Sequence, residues 1–171
     1  MSGGRKFYGK YRGVVSENDD GDASQGQKLG RIRAKVPDVF GDKVSGWALP
    51  CVPYAGKNVG LFLIPPEGAS VWIEFEHGDP EYPIWSGCFW GSGEVPLGSY
   101  TPDTKVLRTG FATVTVSDAS GSGSVTVESN DDPKLKIVLD GNGIEISNGK
   151  DASVKLSGKK VSINGSALEV E

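Results

Sequence analysis

The sequence predicts an all-β chain in two unlike parts: a small closed barrel, then a tail of short repeated strands. Three observations carry this. No window of eleven or more residues keeps apolar side chains at i, i+3, i+4 and i+7, and Gly or Pro interrupts nearly everywhere, with 25 Gly and 10 Pro among 171 residues. Segments that alternate apolar and polar residues recur along the chain instead. The 6 Phe, 5 Tyr and 4 Trp all lie at or before Phe111, so the two parts cannot be stabilised in the same way.

The elements follow in order. Residues 6–16, rich in Tyr and Val, form a first strand, and the polar, acidic stretch 17–27 forms an exposed loop. Residues 28–36 alternate and end at Pro37, which cannot donate to a ladder. Strands at 44–51 and 59–64 follow, the second stopped by Pro65 and Pro66. In 70–76, Val71, Ile73 and Phe75 share one face and Trp72, Glu74 and Glu76 the other. Gly78-Asp79-Pro80 centres a turn over 77–83, and 84–90 returns as a strand. Five or six strands with short connections suggest a barrel of the OB type, in which aromatics fill a small core.

Residues 92–104 read as a linker between a barrel domain at 1–91 and a second domain at 105–171. Seven apolar–polar–apolar triplets then recur: Val114 to Val116, Val125 to Val127, Leu135 to Ile137, Ile144 to Ile146, Val154 to Leu156, Val161 to Ile163 and Leu168 to Val170. Their starts lie 11, 10, 9, 10, 7 and 7 residues apart, with Gly, Asn, Asp and Ser in the turns. Strands with shortening spacing suggest rungs of a tapering β-prism or β-helix. Two inward aliphatics per triplet are too few to offset the entropy of ordering each repeat in an isolated chain. The tail is therefore expected to fold as an oligomer, most simply an intertwined homotrimer sharing one axial core. The alternative is a β-sandwich packed on the barrel.

Composition excludes several classes. The apolar runs are too short to span a bilayer as a helix. No apolar h-region follows Met1, so the chain is expected to be made in the cytoplasm without a signal peptide. Two Cys make no disulfide framework, and Cys51 and Cys88 read as small buried hydrophobes whose pairing stays open. The net charge is −4, and charge is near balanced in both parts, so no basic patch points to nucleic acid.

No residue pattern marks a catalytic, metal or cofactor site. His77, the only His, sits in a turn and reads as solvent-exposed. Glu74 and Glu76, at i and i+2 of one strand, read as a solvated outer face rather than an acid–base pair. Asp131-Asp132 and Asp140-Gly141-Asn142-Gly143 lack the ligand spacing of a calcium loop and read as turns. Lys134, Lys136, Lys150, Lys155, Lys159 and Lys160 mark an outward, soluble face. Trp72, Trp85 and Trp90 are expected in core packing and subunit contacts.

Taken together, several blocks carry a resemblance: Gly9 to Val15, Gly30 to Pro37, Gly46 to Ala48, Gly68 to Pro80 and Tyr82 to Gly91. The most specific is Gly78-Asp79-Pro80-Glu81-Tyr82-Pro83-Ile84-Trp85-Ser86-Gly87. Over residues 7–91 the chain resembles the OB-fold domain of the phage baseplate assembly protein V and gp5–VgrG spike family of contractile injection machines. That resemblance implies a non-enzymatic central spike: a trimer whose β-helical needle points at the target envelope, assembled into a phage tail, tailocin or related particle. About six residues precede the first strand, so the hub is expected to be a separate protein. The linker is too short for an inserted lysozyme domain.

The needle core is expected from Val114, Val116, Val125, Val127, Leu135, Ile137, Ile144, Ile146, Val154, Leu156, Val161 and Ile163. Leu168 and Val170 end the chain with an apolar pair, the candidate for docking a PAAR-type tip protein. The alternative function is an oligomeric OB-fold module binding carbohydrate or nucleic acid through its aromatics.

Overall fold

The computed structural model describes residues 5–21, 28–96, 101–165 and 167–170. The chain divides into two units, with the boundary between Val95 and Pro96. Most of the loop expected over 17–27 and part of the linker over 92–104 lie outside the described residues.

In the first unit, β1 (Tyr11–Glu17) pairs antiparallel with β2 (Arg33–Lys35) on one side and with β6 (Ser70–Phe75) on the other. β6 pairs antiparallel with β7 (Pro83–Cys88), which pairs parallel with the short β3 (Leu49–Pro50). The segment just before β3 reaches back to the β2 side. Ile32 and Ala48 exchange backbone hydrogen bonds, and Ser45 N–H donates to the Ala34 carbonyl at 2.9 Å. These bonds close the sheet on itself, so the ring runs β1, β2, β3, β7, β6 and back to β1. That is the connectivity expected of a five-stranded OB barrel.

The elements are shorter than alternation alone suggests. The stretches 28–36 and 44–51 contribute only three and two ladder residues plus isolated bridges. The stretch 59–64 gives β5 (Val59–Gly60), a two-residue partner for β4 (Ala55–Gly56). One helical turn, α1 (Pro37–Phe40), is present although no helix is expected from periodicity. It is a single turn, too short to show a 3.6-residue repeat, and Pro37 suits its start because its missing N–H is not needed there.

The core is mostly aliphatic. Val15, Ile32, Ala34, Val36, Ala48, Val71, Ile73, Phe75 and Trp85 are buried, with Val71, Ile73 and Phe75 inward from alternate positions of β6. Phe7, Tyr11 and Phe40 surround Phe75 with ring centroids at 6.1, 5.7 and 5.9 Å. Trp85 Nε1–H donates to the Gly30 carbonyl at 3.2 Å, which satisfies its one buried polar atom. The aromatics do not all fill the barrel as expected: Tyr8, Tyr54, Phe62, Tyr82 and Trp90 are exposed. A five-stranded barrel has room inside for few rings, so the others lie on its outside.

The second unit is one antiparallel meander. Its strands are β8 (Thr104–Arg108), β9 (Ala112–Ser117), β10 (Ser124–Ser129), β11 (Lys136–Asp140), β12 (Gly143–Ser147), β13 (Ser153–Ser157), β14 (Lys160–Ile163) and β15 (Leu168–Val170). Each pairs with the next in sequence, and together they make an eight-stranded sheet. The seven triplets all fall in or beside these strands. β8 is additional, because Lys105-Val106-Leu107-Arg108 does not alternate. Turn chemistry sets the register: Gly141-Asn142 and Gly158-Lys159 each link two strands as two-residue hairpins, and Asp140 Oδ1 accepts from Asn142 N–H at 2.7 Å.

Candidate functional site

The registers of the second unit line its apolar residues into two unbroken columns. One runs Leu107, Val114, Val127, Ile137, Ile146, Val154, Ile163 and Leu168 from β8 to β15. The other runs Lys105, Val116, Val125, Leu139, Ile144, Leu156, Val161 and Val170. Because strand side chains alternate between faces, both columns lie on the same face. Eleven of the twelve residues expected in a needle core stand in these columns. The twelfth, Leu135, precedes β11 with the same parity as Ile137 and lines the same surface.

Among the described residues of the second unit, nothing covers this face. Ile146 is 48 % exposed, and Leu107, Ile137, Leu139, Ile144, Val154, Leu156, Val161 and Ile163 are exposed with it. A groove of about 670 Å³ runs along it between Phe111, Leu135 and Ile163. Exposed apolar surface this continuous is rare on a monomer and marks an interaction face.

Two apolar members of the columns lie outside the triplets. Leu139 pairs with Val125 and Ile144, and its signal is the alternation of Leu135, Ile137 and Leu139 continued by one more step. Leu107 stands opposite Val114, in a segment with no alternation to reveal it. The one charged side chain in the columns is Lys105, which forms an ion pair with Asp118.

The opposite face is polar. Thr115 faces Thr126, and Glu145 pairs with Lys155 at 3.6 Å. Glu128 meets Lys134 at 3.1 Å and Lys136 at 3.9 Å. These contacts place Lys134, Lys136 and Lys155 on the outward side. Leu168 is 54 % exposed on the edge strand β15, as the last member of its column, and Val170 occupies the last position of the other.

The remaining candidates are scattered. His77 is exposed in a turn with φ of +50°. Glu74 is held by Lys10 at 3.2 Å. Among the described residues no group of three or more His, Cys, Asp or Glu converges as metal ligands would. Cys51 and Cys88 are free and exposed, not buried as the composition suggested, because both lie at the barrel rim where strands end. Among the described residues no helix is long and apolar enough to cross a membrane.

Comparison with known proteins accounts for both units separately. Residues 11–90 match the Type VI secretion system/phage-baseplate injector OB domain. Residues 104–169 match the phage baseplate V C-terminal trimerisation domain, whose span coincides with the eight-stranded meander. The chain belongs to the baseplate V and gp5–VgrG spike family. Over 100 residues it is 28 % identical to the "Type VI secretion system spike protein VgrG4b" of Pseudomonas aeruginosa. That match covers 53 % of this chain and 12 % of the relative, so the chain spans a small part of that protein's length.

Proposed function

We propose that this chain is the structural central spike of a contractile injection machine, and that its action is mechanical rather than catalytic. The observation that carries the reading is the pair of columns, apolar except at Lys105, crossing all eight strands of a sheet left uncovered by the described residues of its own unit. Three such sheets facing one axis would bury the columns against each other and leave the charged face in water. This is the β-prism or β-helical needle, with residues 105–171 as the needle, 1–91 as the barrel domain and 92–104 between them. The match to a trimerisation domain supports three copies rather than two.

In the same reading, a separate hub protein of the baseplate receives the barrels. The end at Leu168 and Val170 seats a PAAR-type tip, and the needle makes transient contact with the target envelope. The parts are made in the cytoplasm and assembled into a tail or injection particle. Force passes through a shared core that no single chain can leave without stripping both columns.

The test is mass in solution. The spike reading expects three times the 18.0 kDa chain mass, held in heat and detergent that dissociate ordinary oligomers, and conversion to a monomeric barrel when residues 104–171 are deleted. A monomeric full chain defeats it.

A second reading, an oligomeric OB-fold module for carbohydrate or nucleic acid, draws on surface stacking. Arg12 lies over both Trp72 and Phe89 at 5.7 and 5.4 Å, and Arg31 and Arg33 flank Trp47 at 5.9 and 5.8 Å. Such pairs can stack on bases or sugars. Salt-sensitive binding to single-stranded oligonucleotides would favour it, and its absence leaves the stacks as surface packing.

A further inference from the structure

The barrel carries its own unpartnered apolar surface, separate from the meander. The segment from Val59 to Ile64 contains one polar-free run, Leu61-Phe62-Leu63-Ile64, immediately after the two-residue hairpin of β4 and β5. Leu61, Phe62 and Leu63 are all exposed, and Phe62 is 70 % exposed. It is anchored from below: Gly30 lacks a side chain where one would stand 3.1 Å from Phe62 Cε2 and 2.7 Å from Ile64 Cδ1. The ring thus rests on backbone and projects outward.

The two sides of this arm differ. Phe62 and Ile64 line a hollow of about 630 Å³ with Lys28, Leu29 and Tyr54, and Leu61 borders both sides. Leu61 and Leu63 line a second hollow of about 430 Å³ with Cys51, Val52, Pro53 and Trp85. No charged residue lines that hollow. Each barrel therefore offers an exposed ring at the edge of one hollow, which Lys28 also borders, and a second hollow with no charged lining on the other side of the arm.

A ring and a hollow at different places on one subunit make a heterologous contact, and such contacts form closed rings when the rotation closes. Here the occupant and the rotation have a common source. The second unit matches a trimerisation domain and begins beside the barrel's last residue. Three barrels tethered to one trimer meet at a high effective concentration, so a modest apolar contact between them is populated without high intrinsic affinity. We infer that Phe62 of each barrel seats in the Cys51–Leu61–Trp85 hollow of the next copy, closing a second, head-to-tail ring of contacts around the trimer. This inference rests on the trimeric spike reading above.

The native Cys51 reports on it directly. In the full chain with Cys88→Ser, the assembled protein is mixed with a chromogenic disulfide reagent. The expected result is Cys51 labelling at least tenfold slower than in the same protein carrying Phe62→Ser. Phe62 is mostly solvent-exposed, so that variant keeps the barrel core. A cysteine introduced by Phe62→Cys in the Cys88→Ser background should join Cys51 of the neighbouring copy under mild copper-catalysed oxidation. Covalent trimers on a denaturing gel are the expected product. A trimer in which Cys51 labels at the same rate with and without Phe62, or in which oxidation yields only single chains, overturns the contact and leaves the spike reading standing. Protection that appears only on adding a hub protein also overturns it. A monomeric full chain overturns both.

Discussion

Asp20 and Arg31 are joined twice. Asp20 Oδ2 accepts from Arg31 Nε at 2.9 Å and from Arg31 backbone N–H at 3.2 Å, with Leu29 N–H a third donor at 3.0 Å. Asp20 is only 4 % exposed, so one carboxylate fixes the start of the second strand region from inside the protein. Burial pushes its pKa up, but the Arg31 guanidinium and the two backbone donors outweigh it and hold the carboxyl below the ordinary value. Stability from this group is therefore complete above the unfolded-state pKa and is lost as pH falls through the lower folded value. Denaturant titrations between pH 7 and pH 2 should show Asp20→Ala destabilised by about 2–3 kcal/mol at neutral pH. The gap to the parent should close at the acid end; a constant gap would mean the charge does not matter.

Ile146 sits mid-column between Ile137 and Val154. Ile146→Asp puts a charge in the middle of the proposed shared core, so size-exclusion with light scattering should show the trimer lost. Thr126→Asp, on the opposite face, should keep the mass of the parent. Equal loss in both would mean the two faces are not distinguished by assembly.

Gly143 has φ of +131°, and a Cβ there would stand 1.9 Å from the Leu156 carbonyl oxygen. That oxygen belongs to the adjacent β13 backbone, which cannot move without parting the ladder. Gly143→Ala should cost at least about 2 kcal/mol, read as a lowered thermal midpoint of the assembled protein. Gly141→Ala, whose Cβ would meet nothing, is the comparison.

Lys105 and Asp118 are more than half exposed in the single chain, where such a pair contributes at most about 1 kcal/mol. If the apolar columns close on partner copies, this pair is drawn out of water at their first rung. A double-mutant cycle with Lys105→Met and Asp118→Leu should then give a coupling energy above about 1 kcal/mol in the assembled protein, because each single change strands a charge. Additive effects would place the pair outside the shared core.

The sequence announces the second unit more fully than the first, for a physical reason. In the meander the same two-residue period runs through every strand but β8 and several hairpins are short, so alternation alone assigns Val114, Ile146 and Leu156 to one face. Leu107 escapes because its edge strand, with Lys105, Val106 and Arg108 around it, does not alternate. In the barrel, Val71, Ile73 and Phe75 were legible as inward. Closure follows from the strand count and short connections, but the bridges that make it, such as Ile32 to Ala48, leave no periodic trace. Nothing in the sequence separates the exposed arm at Phe62 from an ordinary strand, since an apolar run looks the same whether it is buried or waiting for a neighbour.

The ladder of the second unit is not equally wide along its length. β9 and β10 share six residue pairs, whereas β14 and β15 share three. Every residue pair shared adds to the ladder that must part together before a strand can leave, so the sheet resembles a seam stitched densely at one end and sparsely at the other. Unravelling is then directional. Peeling starts at Leu168 and meets rising resistance as it moves back toward Val114. Damage at the β15 end stays local, and β9 and β10 are the last to part.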